Sequence, residues 1–277
     1  MLARQRQERI LEEVRLVGGA RVSELVDLLH VSDMTVRRDI VQLAQRGLVE
    51  RVHGGATTVG ARSSEEPGFA TKSALAREQK HSIAVSCAAL ISPGESVAVS
   101  AGTTTLEVAR ELLPVAELTI VTNSPPVADL MHDPGRRDRS VVLVGGERTP
   151  SNALVGPVAV EALRTLHVDT LVLGVHGITV QQGLTTPNLV EGATDRALVE
   201  SARRLIVVAD HTKWGVVGLA KISELRQVDV LITDGGLPSA ARRSLSAAVG
   251  RLVISEDEHE TDRDDTDRNN TDRRVQS

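Results

Sequence analysis

Gly102-Thr103-Thr104-Thr105 follows a short β-branched run and opens a helical pattern. A helix start presents backbone N–H groups that have no partner inside the helix. Three hydroxyls beside them, and a glycine that lets a ligand approach, would make a cradle for a phosphate. The string is neither a lysine-bearing nucleotide loop nor G-x-G-x-x-G, so triphosphates and dinucleotides are poorly supported. Threonines at a helix start more often only cap it, so the string needs company. Other strand ends supply it at Thr122-Asn123-Ser124, Gly145-Gly146 and Asp210-His211-Thr212-Lys213, and a loop supplies Gly183-Leu184-Thr185-Thr186. Lys213 is one of four lysines against 28 arginines, and an ammonium suits a phosphate. A surface lysine near a turn is the competing reading, and Asp210 can equally cap that turn.

A second constellation lies near the amino terminus, in VSDMTVRRDIVQLAQRG. Val36, Ile40 and Leu43 form one stripe at helical spacing, and Ser32 sits where an N-cap belongs. At 100° per residue, Arg38 points away from the stripe, with Arg37 on one flank and Thr35 and Gln42 towards the other. Adjacent arginines with Ser32 and Thr35 at the outer end of a helix can reach phosphates and guanine edges. Two arginines alone are more often a solvated face. Here two helices precede them, Leu2–Val17 and Val22–Leu29, and LVERVHGGATT then turns at Gly54-Gly55 as a two-stranded wing carrying Arg51 and His53. Helices and hairpin in that order are a docking geometry for duplex DNA.

The rest of the chain must hold the phosphate-type groups in place. Strands are expected at Ser96–Ala101, Leu118–Thr122, Ser140–Gly145, Asp169–Gly174, Leu205–Ala209, Asp229–Thr233 and Arg251–Ile254. Helices are expected at Ala74–Leu90, Thr104–Leu113, Ser124–Met131, Pro157–Leu166, Thr194–Arg203 and Pro238–Val249. Runs such as LVLGV and LIVVA are apolar on both faces, as in parallel strands buried between helix layers. Alternation of this kind means an α/β sandwich, and its ligands bind beyond the carboxyl ends of the strands. The domains read as 1–58, a linker at 59–73, an α/β domain at 74–254, and an aromatic-free acidic tail at 255–277 with TDR repeats, expected to be disordered.

Composition narrows the function classes. Among 277 residues the only aromatics are Phe69 and Trp214, which argues against aromatic stacking platforms for single strands. One cysteine, Cys87, excludes internal disulfides and multi-cysteine zinc sites. The start is charged throughout and no apolar run approaches about 18 residues, so no membrane partner and a cytoplasmic location are expected. Net charge is −5, but the tail, with nine acids and four arginines, carries the imbalance, while residues 1–58 hold nine arginines and eight acids. A local basic surface remains possible.

R-x-x-x-I-L at Arg6–Leu11, V-x-E-L at Val22–Leu25, V-S-x-x-T-V-R-R-D-I at Val31–Ile40 and G-L-V-x-R-x-H-G-G-A at Gly47–Ala56 resemble the winged helix-turn-helix signature of DeoR-type bacterial repressors. Ile40 stands where that family usually has Leu. From Lys80 to about Ile254 the chain is similar to the DeoR sensor domain, an α/β fold like ribose-5-phosphate isomerase that binds phosphorylated sugars. Its marks stand at Gly102–Thr105, Thr122–Ser124, Gly145–Glu147, Gly183–Thr186, Glu191 and Asp210–Lys213, and Ser100 replaces an acid common before the GTTT turn. The resemblance implies that Ser32, Thr35, Arg37 and Arg38 touch operator DNA. It also implies that Gly102, Thr103, Thr104, Thr105, Thr122, Asn123, Ser124, Thr185, Glu191, Asp210 and Lys213 meet the effector, with no cofactor or metal. The alternative is a sugar-phosphate isomerase with an appended domain. The acidic run of such enzymes has no counterpart in Leu173–Ile178, where His176 is the one candidate base. A repressor of sugar or polyol metabolism, acting as a homodimer or homotetramer on double-stranded operator DNA, is the expected function.

Overall fold

The computed structural model describes residues 3–17, 19–46, 48–52, 54–58, 73 and 76–255, and the chain divides into two compact units, Met1–Glu65 and Glu66–Ser277. His53, the linker apart from Ser73, and the tail beyond Ser255 lie outside the described residues.

In the first unit α1 (Ala3–Val17), β1 (Gly19–Arg21), α2 (Val22–Leu29), α3 (Asp33–Gln45), β2 (Val49–Val52) and β3 (Gly55–Thr58) follow in order. Ile10 and Val14 of α1, Leu25 of α2, and Val36, Ile40 and Leu43 of α3 close one buried core. The turn between α2 and α3 depends on His30, whose φ of 52° is left-handed, a conformation histidine tolerates better than most. Ser32 then caps α3, accepting from Thr35 N–H at 3.4 Å. The wing has a third strand that the sequence did not announce. β1 pairs antiparallel with β3, which also pairs with β2. Three residues are too few to show a period of two.

A partly buried ion pair ties α1 to α3 in this unit. Asp39, on the inner side of α3, receives both Nε and Nη2 of Arg6 from α1, the latter at 3.2 Å. Gln7 donates to Asp39 at 3.3 Å and to Gln42 at 2.6 Å, and Arg46 donates to Gln7 at 3.3 Å. Gln42 is therefore tied to α1 as well as lying beside the arginines.

The second unit contains α4 (Arg77–Ala88), β4 (Ser96–Val99), α5 (Thr103–Glu111), β5 (Thr119–Thr122), α6 (Pro125–Met131), β6 (Ser140–Leu143), β7 (Glu147–Arg148) and β8 (Leu154–Val155). It continues with α7 (Pro157–Arg164), β9 (Val168–Gly174), β10 (Gly177–Thr179), β11 (Gly183–Thr186), α8 (Leu189–Ser201), β12 (Ala202–Val208), β13 (Ala220–Ser223), β14 (Val230–Asp234), α9 (Ser239–Ser246) and β15 (Arg251–Ser255). The seven expected strands form one parallel sheet in the order β15-β14-β12-β9-β4-β5-β6. Alternation across the pleat splits the core. Val97, Val99, Ile206 and Val208 face α4–α6, while Ala98, Leu171, Leu205 and Val207 face α7–α9. Burying apolar faces on both sides is what makes these strands continuous apolar runs.

Chain order reverses between β4 and β9: β5 and β6 extend the sheet one way, and β9, β12, β14 and β15 the other. Such a junction opens a crevice at the carboxyl ends of the strands. Two differences from the sequence reading matter there. α8 begins at Leu189 rather than Thr194, because Asn188 caps it by accepting from Val190 and Glu191 N–H groups. A small antiparallel sheet, β10-β11-β13, also lies outside the main one. β15 runs to Ser255, whose hydroxyl meets Ser82 at 2.9 Å, so the sheet ends one residue later than expected.

Candidate functional site

Gly102–Thr105 follows β4 at the reversal point. The first ladder bond of α5 runs from Leu106 N–H to Gly102 O at 3.1 Å, and no side chain caps the helix. The N–H groups of Thr103, Thr104 and Thr105 are thus without intrahelical partners. The three hydroxyls are not equivalent. Thr105 is fully buried and donates to Ser100 O at 2.6 Å, so it holds the turn. Ser100 in turn accepts from Gly174 N–H at 3.0 Å, tying the end of β4 to the end of β9. Thr103 and Thr104 remain as hydroxyls beside the open N–H groups.

Thr122, Asn123 and Ser124 are all buried, and their polar atoms brace the neighbouring loops. Thr122 donates to Val99 O at 2.6 Å; Asn123 accepts from Ala101 N–H at 2.8 Å and donates to Leu154 O at 3.3 Å. Ser124 caps α6. Thr185 bridges two segments, donating to Gly177 O at 3.3 Å and accepting from Gly218 N–H at 2.9 Å.

Glu191 is buried at the start of α8 and accepts from Thr149 at 2.7 Å, from Ser151, and from Thr186 at 3.5 Å. It thereby fastens the β7–β8 hairpin. That hairpin needs Gly146, at φ 138°, where a Cβ would stand 2.4 Å from Val155 O. Gly183, at φ 71°, is likewise required, because a Cβ there would meet Ser223 O at 2.2 Å. The glycines of both marks serve close backbone approach.

Asp210, at the end of β12, caps the 3-10 turn His211–Lys213 by accepting from Thr212 N–H at 3.1 Å. Lys213 donates its backbone N–H to Asp210 O at 3.0 Å, while its half-buried side chain has no ion pair or hydrogen bond among the described residues. The sequence reading missed the partner of His211. Asp234, at the end of β14, lies 2.7 Å from His211 Nδ1 and also accepts from the N–H groups of His211 (2.7 Å) and Gly236 (2.8 Å). Burial opposes the charge on Asp234, but these hydrogen bonds outweigh it and hold the carboxyl below the usual aspartate range. The aspartate and histidine are 23 residues apart, so no local spacing pointed to the pair. Trp214, next to Lys213, bridges Ile178 and packs against the core.

On the first unit, Ser32 and Thr35 hydroxyls meet at 2.8 Å. Arg37 pairs with Asp33 one turn back, Nη2 to Oδ2 at 3.2 Å. Arg38 is exposed and has no such partner among the described residues. Arg51 lies in β2. Among the described residues no group of three or more metal-type side chains gathers, and no helix is long and apolar enough to cross a membrane.

Residues 6–61 match the DeoR-like helix-turn-helix domain, and residues 75–235 match the DeoR C terminal sensor domain. The chain is 35% identical over 259 residues to the uncharacterized HTH-type transcriptional regulator YgbI of Escherichia coli K12, covering 93% of this chain and 100% of that protein. It is 37% identical over 249 residues to the HTH-type transcriptional regulator GlpR of Haloferax volcanii, covering 90% and 96%. It is 32% identical over 243 residues to the glycerol-3-phosphate regulon repressor of E. coli K12, covering 87% and 95%. Among solved structures, ribose 5-phosphate isomerase A from Methanocaldococcus jannaschii matches with a TM-score of 0.36 and 14% identity, over 50% of this chain and 54% of that one. Two matching domains and full-length relatives agree: this chain belongs to the DeoR family of transcriptional regulators, and it is a DNA-binding regulator rather than an enzyme.

Proposed function

We propose that the effector is a phosphorylated sugar or polyol whose phosphate sits against the start of α5 and Lys213. The observation that carries this is the set of open N–H groups at Thr103–Thr105, placed where the strand order reverses, with an uncommitted ammonium on the loop after β12. An anion there gains the helix dipole, the N–H groups and one charge-assisted contact. Thr103 and Thr104 contribute hydroxyls. Thr105, Thr122, Asn123, Ser124, Thr185 and Asp210 keep the loops in place, and Glu191 holds the β7–β8 hairpin at the rim. A relative named for glycerol-3-phosphate supports a small phosphorylated polyol or sugar.

Arg38, with Arg37, Thr35 and Ser32, faces the major groove of an operator, and Arg51 and His53 of the wing lie along it. The protein represses a sugar or polyol operon in the cytoplasm as a homodimer or homotetramer, since one winged unit makes too few contacts for tight specific binding. Val158 and Leu189, exposed on the sensor unit, offer apolar surface to a second copy. The effector acts by binding the DNA-competent and incompetent states unequally. Trp214 is the only tryptophan, so its fluorescence reports the site. Titrating phosphorylated sugars and polyols should change it, and the same compound should shift operator affinity without being consumed. Turnover of the compound would instead favour the isomerase reading.

A further inference from the structure

Met34 is the most exposed large apolar side chain among the described residues, at 77%. A single exposed apolar residue usually needs no explanation; this one has a specific neighbour. The buried line of α3 is Val36, Ile40 and Leu43. At 100° per residue Met34 and Arg38 both fall at the opposite pole, one turn apart. Arg37 is held to the side by Asp33, and the Ser32 and Thr35 hydroxyls are joined to each other. The outermost surface of the first two turns therefore consists of one apolar group and one uncommitted guanidinium. The major groove offers a matching pair: guanine O6 and N7 for arginine, and the thymine C5-methyl for an apolar side chain.

We propose that Met34 reads a thymine methyl in the operator, close to the guanine contacted by Arg38. This rests on the operator-binding reading above and adds a base preference to it. Four residues of helix rise about 6 Å, roughly two base-pair steps, which sets the separation of the two contacts. An unbranched thioether can follow the methyl as the helix settles in the groove, and contact with it removes apolar surface from water on both partners.

The test uses the full-length protein and duplexes from the DNA upstream of its own gene, with each thymine of the bound segment replaced in turn by uracil. At one thymine, within about two base pairs of the guanine on which Arg38 acts, loss of the methyl should weaken wild-type binding about three- to tenfold. Met34→Ala should show the same loss on the thymine-bearing duplex and no further loss on the uracil one, while Met34→Leu recovers most of the affinity. Binding in which Met34→Ala silences no thymine overturns the assignment, as does an equal loss on unrelated duplexes. Wild-type protein that grips no duplex overturns the operator reading first, and this assignment with it.

Discussion

Asp234 grips His211 twice: one carboxylate oxygen lies 2.7 Å from the imidazole Nδ1, and the other accepts the His211 backbone N–H at 2.7 Å. Gly236 leaves room for the ring, since a Cβ there would lie 2.5 Å from Nδ1. The carboxylate at the end of β14 thus holds the loop that carries Lys213 after β12, so the placement of that lysine depends on a residue in the next strand.

That relationship has a pH signature. The Asp234 carboxyl titrates below the usual aspartate range in the folded protein, whereas the unfolded value is about 3.9. Its contribution is complete above that unfolded value and is lost as pH falls through the lower, folded one. The melting-temperature gap between wild type and Asp234→Asn should shrink as pH falls below about pH 4. A gap that widens below that pH would contradict the assignment.

Lys213→Ala should leave operator affinity intact and weaken the effector about 10- to 100-fold, the size of a charge-assisted hydrogen bond. Trp214 fluorescence measures the first loss, and operator binding with added sugar phosphate measures the regulatory one. Loss of DNA binding without effector would assign Lys213 a different role.

Arg38 and Arg37 should behave differently because only Arg37 is engaged by Asp33. Arg38→Ala should cost about 1–3 kcal/mol of discrimination at one base pair. Arg37→Ala should weaken operator and unrelated duplexes alike and flatten the salt dependence. Affinities on base-substituted duplexes at two salt concentrations separate these patterns.

Asp39→Ala leaves the partly buried Arg6 guanidinium without its carboxylate. Losing a charged hydrogen-bond partner at such a site costs about 1–3 kcal/mol. Operator binding should weaken and the first unit should melt earlier, while effector-induced Trp214 fluorescence changes persist, a split that two-probe thermal melting would resolve.

Burial pushes the Cys87 thiol up to about 12, against a smaller opposing effect of Arg204. The thiolate is scarce at neutral pH. Cys87, the only cysteine, should resist thiol reagents in the folded protein and react after denaturation; fast labelling of native protein would show that this core opens.

Local signals carried much of the architecture. The stripe Val36, Ile40, Leu43 and the apolar runs LVLGV and LIVVA depend on near neighbours in the chain, and side-chain period alone reveals them. The same holds for Ser32 as a cap and for the glycine and threonines after β4. β1 escaped notice because three residues cannot display a period, and Gly183–Thr186, expected as a loop, is strand β11, paired with β10 across a short turn and with β13 far from it in sequence.

What the sequence by itself determined was the class of each element, the parallel α/β sandwich behind a helical module, and which residue types could meet an anion or a base. Tertiary structure alone decided which of those groups are spoken for. Thr105 and Thr122 donate to backbone carbonyls, Glu191 fastens a hairpin, Arg37 leans on Asp33, and Arg6 with Asp39 and His211 with Asp234 are joined across long stretches of chain. Hydrogen bonds between distant residues depend on strand order and helix packing, which no local spacing encodes. Buried polar atoms must nevertheless find such partners, and among the described residues the side chains of Thr103, Thr104, Lys213 and Arg38 have none, while Met34 stands exposed.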